Sequence, residues 1–139
     1  MFITEEDYRV VIGEPALAII SQVSEYNRVN AEAEAQEEIS AYLRPTYDTK
    51  AAFQAEGDSR NRLLVMYTCD IALYNMAASL PQKMGMEIRK ERYERAIKWL
   101  EGVQSGKIIP DIPTPTDDDG NPEAQNIIWN SQRPLRHNW

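Results

Sequence analysis

Cys69 and Asp70 put a thiol next to a carboxylate inside the most apolar stretch of the chain, Leu63 to Leu80. A carboxylate in such a setting must be paired or protonated. Arg60, Arg62 or the arginines that follow residue 88 could supply the partner, so Asp70 is predicted to form a buried ion pair. An active-site acid would need company, and the chain has no G-x-G-x-x-G, Walker, G-x-S-x-G or C-x-x-C pattern. Cys69 reads as a small core residue. The single histidine, His137, is the third residue from the end of the sequence, a poor place for a preorganised base. One cysteine and one histidine can supply neither an internal disulfide nor a zinc site. The expectation is a protein without catalytic residues, cofactor or metal.

Two acidic groups imitate metal sites and fail on spacing. Asp117, Asp118, Asp119, Gly120 and Asn121 look like a calcium loop, but placing Gly120 at the sixth position puts Pro115 where the first aspartate ligand belongs. Glu32, Glu34, Glu37 and Glu38 suggest a carboxylate-bridged di-metal centre, which wants Glu-x-x-His pairs on facing helices. No such histidine exists, and a solvated helix face is expected.

The aromatic and arginine residues point to partner surfaces, because Trp and Arg together are the composition of interface hot spots. Arg92, Arg95 and Trp99 lie on one side of a predicted helix, where Trp99 either joins an interface or closes the edge of the core. Trp129, Arg133, Arg136 and Trp139 repeat the combination near the C-terminus and are expected to dock on another chain.

These residues have to be positioned by a small number of helices. The chain has 139 residues, 42% of them apolar and 27% charged, which suits one soluble domain. Thr4 and Asp7 match a capping box, so a short helix is predicted from Glu5 to before Gly13, and Pro15 opens a second one carrying Ala16, Leu17, Ile20 and Val23. A third runs from a cap at Asn27 or Asn30 to Pro45, with Ala31, Ala35, Ile39, Tyr42 and Leu43 inward. Residues 45–59 read as a connection. The fourth, Arg60 to Leu80, is apolar nearly all round apart from Asn61, Thr68 and Asn75, as befits a helix surrounded by others. Asp70 and Asn75 argue against a membrane span, since a central Asp costs about 2.5–3.5 kcal/mol on insertion scales. The fifth, Glu87 to Gln104, has Tyr93, Ala96, Ile97, Leu100 and Val103 on one face and i, i+4 pairs Glu91 to Arg95 and Glu94 to Lys98 on the other. The start, MFITEED, is acidic where a secretory segment would be basic, so a cytosolic product is expected.

After Gly106 five of the eight prolines fall in 33 residues, which predicts an extended arm with at most one short strand at Asn126 to Asn130. Its apolar side chains must find the body or another chain. The expected architecture is therefore all-α: a compact bundle of about five helices, two short and three longer, over residues 1–106, with a proline-rich arm over 107–139.

Three stretches resemble a family of small phage and prophage proteins, the Mu-type head completion proteins, which are similar to the helical head-tail connectors of long-tailed phages. They are the Thr4-Glu5-Glu6-Asp7-Tyr8 start leading to Ile39-Ser40-Ala41-Tyr42-Leu43-Arg44-Pro45-Thr46-Tyr47, then Cys69-Asp70-Ile71-Ala72-Leu73-Tyr74, and finally Arg92 to Leu100 closing at Gly106. The resemblance spans residues 3 to 106, and Arg44-Pro45-Thr46-Tyr47 stands where the family more usually has adjacent Arg-Tyr. It implies an adaptor subunit that forms a ring of about a dozen copies between portal and tail in the virion, with DNA passing through unbound and with no catalysis. A reading from another class is a prophage-encoded helical regulatory or binding module without ring assembly.

The net charge of -7 is unevenly spread. Through Ser59 there are 12 acidic and 4 basic residues, or -8; from Arg60 to Gly106 there are 5 and 8, or +3; the arm has 5 and 3, or -2. Unlike halves of this kind could attract each other between neighbours, or the acidic half could line a channel and repel DNA.

Overall fold

A computed structural model describes residues 2–80 and 86–116. It is all-α, with six helices: α1 (Glu5–Val11), α2 (Glu14–Ile20), α3 (Glu25–Leu43), α4 (Thr49–Gln54), α5 (Arg62–Ala78) and α6 (Met86–Gln104). The five predicted helices are present, and α4 adds a sixth inside the expected connection, started by the Asp48 carboxylate on the Ala51 N–H. A single 3-10 turn, Gly57–Ser59, separates α4 from α5.

The ends of these helices follow local hydrogen-bonding chemistry. The Thr4 hydroxyl accepts from the Asp7 N–H while the Asp7 carboxylate accepts from the Thr4 N–H, so two orphan donors at the start of α1 are satisfied together. Gly13 has φ +109°, a turn conformation that other residues rarely adopt, and Pro15 sits in the first turn of α2. Three boundaries differ from expectation. α2 ends at Ile20, so Val23 lies beyond it in the turn to α3. Ser24, not Asn27 or Asn30, caps α3, and Asn27 supplies the N–H that Ser24 accepts. Asn61 caps α5 instead of lying on a polar strip within it.

α5 is the axis of the body: every residue from Tyr67 to Leu73 is buried, and the helix packs against α1, α2, α3 and α6. Leu64, Ile71, Leu73 and Met76 are almost fully buried, and Leu→Ala at such a position costs roughly 2–5 kcal/mol. α3 turns Ala31, Ala35, Ile39 and Leu43 toward it. α6 contributes Ala96, Leu100 and Val103. The first residues of the predicted arm belong with this body, since Ile112 is buried and the Asp48 N–H donates to the Pro113 carbonyl at 2.8 Å. Ile109, in contrast, is exposed.

The acidic series of α3 is not one solvated face. Glu34 and Glu37 are exposed, but Glu32 is buried, 2% exposed, because α1 lies over it and Tyr8 donates its hydroxyl to Glu32 Oε1 at 3.1 Å. The wet-side pairs expected on α6 are also absent. Arg95 turns to Asp70, and the pair that forms is Lys90 with Glu94 at 3.9 Å. The proposed strand at Asn126 to Asn130, and Trp129, Arg133, Arg136 and Trp139, lie outside the described residues.

Candidate functional site

The densest arrangement of charge in the body is the seam between α5 and α6. Asp70 points from the middle of α5, where its neighbours are apolar and its own side chain is 0% exposed. Arg92 Nε donates to one carboxylate oxygen at 2.6 Å and Arg95 Nη2 to the other at 3.1 Å. Arg92 uses its Nη2 on the Val11 carbonyl at 3.1 Å, so one guanidinium ties α6 to α5 and to the end of α1. Arg60, an alternative partner with Arg62 on sequence grounds, is engaged elsewhere, on both oxygens of Asp7 and on the Phe2 carbonyl.

A third arginine of the seam, Arg89, lies outside the interface candidates Arg92, Arg95 and Trp99. Arg89 precedes Arg92 by three residues and is buried, and its Nη1 has no hydrogen-bond partner among the described residues. Burial lowers its pKa below the ordinary value, the charge of Arg92 lowers it further, and Asp70 offsets part of both. Arginine nevertheless stays protonated. Leaving such a group unmatched costs about 1–3 kcal/mol or more. The seam thus holds three guanidiniums against one carboxylate.

Around the seam the aromatic rings close the edge of the core. Trp99 is buried, 8% exposed, and lies 4.9 Å from Tyr67 between ring centroids. Arg95 covers the other ring of that pair, with its guanidinium carbon 5.7 Å from the Tyr67 centroid, so its exposed side chain is fixed from two directions. Tyr93 stacks on Tyr74 at 4.4 Å and donates to Glu38 at 2.8 Å. Burial, with the Glu38 carboxylate beside it, pushes the Tyr93 hydroxyl up to about 12.

The sequence model of one family, described as Bacteriophage Mu, Gp36, matches residues 2–128. The chain belongs to that family. No curated protein and no solved structure matches it. The Gp36 match runs past Gly106, where the resemblance read from the sequence stopped, and takes in much of the predicted arm. Among the described residues, no helix is long and apolar enough to cross a membrane.

In this Gp36-family chain two hollows lie away from the seam. A hollow of about 640 Å³ lies between α3 and α4, lined by Glu37, Arg44, Asp48, Lys50 and, from the arm, Pro115 and Thr116. Another, of about 470 Å³, lies between α1 and the start of α5. Asp70 lines neither. Cys69, beside it, is buried and its thiol is pushed up by burial first and by nearby carboxylates second, the opposite of an activated nucleophile. The seam can therefore hold α6 in place and present positive charge. Arg89 had a sequence signal that could have found it, namely its position one helical step before two arginines already singled out.

Proposed function

We propose that this chain is a structural subunit of the phage head-tail connector, built into a ring between portal and tail. What supports the reading is membership of the Mu Gp36 family over residues 2–128, joined to an all-helical body. In this reading the copies number about a dozen, the neighbours are portal and tail or stopper proteins, DNA passes through without specific contacts, and no catalysis takes place. The protein is made in the host cytoplasm and ends at the head-tail junction. Ring assembly joins unlike faces of successive subunits, and the opposite charges of the two halves of the chain provide unlike faces. The arm is assigned to a neighbouring subunit or virion protein.

Deleting the gene from an inducible prophage tests the reading. Heads filled with DNA should accumulate beside free tails, and labelled protein supplied in trans should be found at the junction of rescued particles. Normal tailed particles from the deletion would overturn it. A stable monomer or dimer that is absent from particles and binds DNA in a salt-dependent way would favour a regulatory module instead.

A further inference from the structure

Arg89, Arg92 and Arg95 follow one another at three-residue steps along α6, so successive members are neighbours on a strip that winds from the buried side of the helix toward solvent. Their exposure rises along the strip: Arg89 is buried, while the side chains of Arg92 and Arg95 are 25% and 48% exposed. Asp70 lies beneath with one oxygen on Arg92 and the other on Arg95, and Arg89 Nη1 is left without a partner. A guanidinium cannot escape this by losing its proton. Three guanidiniums against one carboxylate leave the strip net positive, and an anion brought by another molecule to its accessible end, at Arg92 and Arg95, would balance it.

We propose that Arg89, Arg92 and Arg95 form the basic half of a contact between two copies of this chain, whose acidic half is the outward face of α3 with Glu34 and Glu37. The contact rests on the connector reading, for which it supplies the joint between successive subunits. Carboxylates match the guanidinium fork in geometry and charge. Glu34 and Glu37 are exposed and one turn apart, and their own partners are surface groups, Asn30 for Glu34 and Arg44 for Glu37. The two halves lie on different helices of the subunit, so each copy can give its basic half to one neighbour and its acidic half to the next, the heterologous arrangement that closes a ring. A DNA phosphate would meet the same guanidiniums, but the net charge of -7 repels a polyanion at long range. Arg89's lowered pKa has the same origin, since burial and the charge of Arg92 act on it with too little negative charge nearby.

The test uses the full chain, with native mass spectrometry and sedimentation at low salt. The wild type should associate, and both Arg89→Glu and the pair Glu34→Arg, Glu37→Arg should weaken association at least tenfold. Mixing the two reversed proteins should restore a hetero-contact. Arg89→Met guards against a trivial folding defect: removal of an unmatched buried charge should leave the melting temperature equal or higher while association falls. A merely structural Arg89 would give the reverse, a lower melting temperature with association intact. The contact is overturned if the wild type stays monomeric, if the mixture fails to associate, or if the strip proves to bind duplex DNA in an Arg89-dependent way. Any of these with the protein still found at the head-tail junction removes this contact alone, whereas absence from the junction removes the connector reading.

Discussion

Asp70 and Glu32 are both hidden carboxylates, with side chains 0% and 3% exposed, and they are satisfied in different ways. Both oxygens of Asp70 accept from arginines of one neighbouring helix, whereas Glu32 takes Tyr8 and Arg28 on Oε1 and has no partner on Oε2. The balance of charge is reversed as well. Glu32 has one arginine within hydrogen-bond reach, helped by a tyrosine whose pKa is raised by burial and then by Glu32 itself, so Tyr8 remains a neutral donor. Asp70 has two bonded arginines and a third close by, and the surplus runs outward along α6. The corner at Glu32 joins α1 to α3 and leaves one carboxylate oxygen unmatched among the described residues. The Asp70 seam joins α5 to α6 and leaves positive charge to be met from outside.

The strongest way to break this comparison is Asp70→Ala. It would leave two arginines at a buried seam without their shared carboxylate, and removing one partner of a buried pair costs about 3–5 kcal/mol. That is a large part of the roughly 5–15 kcal/mol that holds a domain folded. Urea unfolding of the full chain should show the midpoint falling sharply. An unchanged midpoint would mean that the seam is not the staple its geometry suggests.

Glu32→Gln sharpens the contrast with a smaller effect. The amide keeps an acceptor for Tyr8 and Arg28 and replaces the unpartnered oxygen with an amide nitrogen. Arg28, with its side chain 20% exposed, retains solvent and Glu5 at 3.7 Å. The expected change is within about 1 kcal/mol in either direction, the size of one ordinary hydrogen bond. A loss on the scale of Asp70→Ala would erase the distinction between the two carboxylates.

How much of this could be read from the sequence depended on how local its cause was. The Thr4 and Asp7 box, the stripe of Ala31, Ala35, Ile39 and Leu43, and the all-round apolarity of α5 are set within a few residues, and each is found in the structure. α4 escaped because six residues are too few for a helical period and only Ala52 is buried. Glu32 was read as solvated because its burial is decided by Tyr8, 24 residues earlier, which no periodicity reveals. The Glu91 to Arg95 pair was a sound local expectation that lost to a better partner on another helix, since Asp70 is dry and Glu91 is exposed. At the seam, Asp70 could be found from its apolar neighbours, but the excess of arginine over carboxylate could only be counted once α6 was placed.

Asp7 offers a finer test, because it is more exposed than either buried carboxylate and can be followed by pH. Its side chain is 15% exposed, and both oxygens accept from Arg60, at 2.6 and 3.1 Å. Burial alone would raise its pKa, but the hydrogen bonds from Arg60 and from the Thr4 N–H and hydroxyl, with the charge of Arg60, outweigh burial and hold it below the ordinary 3.8. A carboxyl with a depressed folded-state pKa binds its proton more weakly when folded than when unfolded. The stability it contributes is therefore complete above 3.8 and is lost as pH falls through the lower folded value. Asp7→Asn should flatten the acid limb of the stability curve in that window while leaving its shape near neutrality unchanged, with a lower plateau. Thermal melts of both proteins from pH 6 downward would measure the difference, which should close as the wild-type carboxyl protonates. Parallel curves down to the lowest pH would show that Arg60 holds α1 through the Phe2 carbonyl, at 2.7 Å, and that the Asp7 charge contributes nothing.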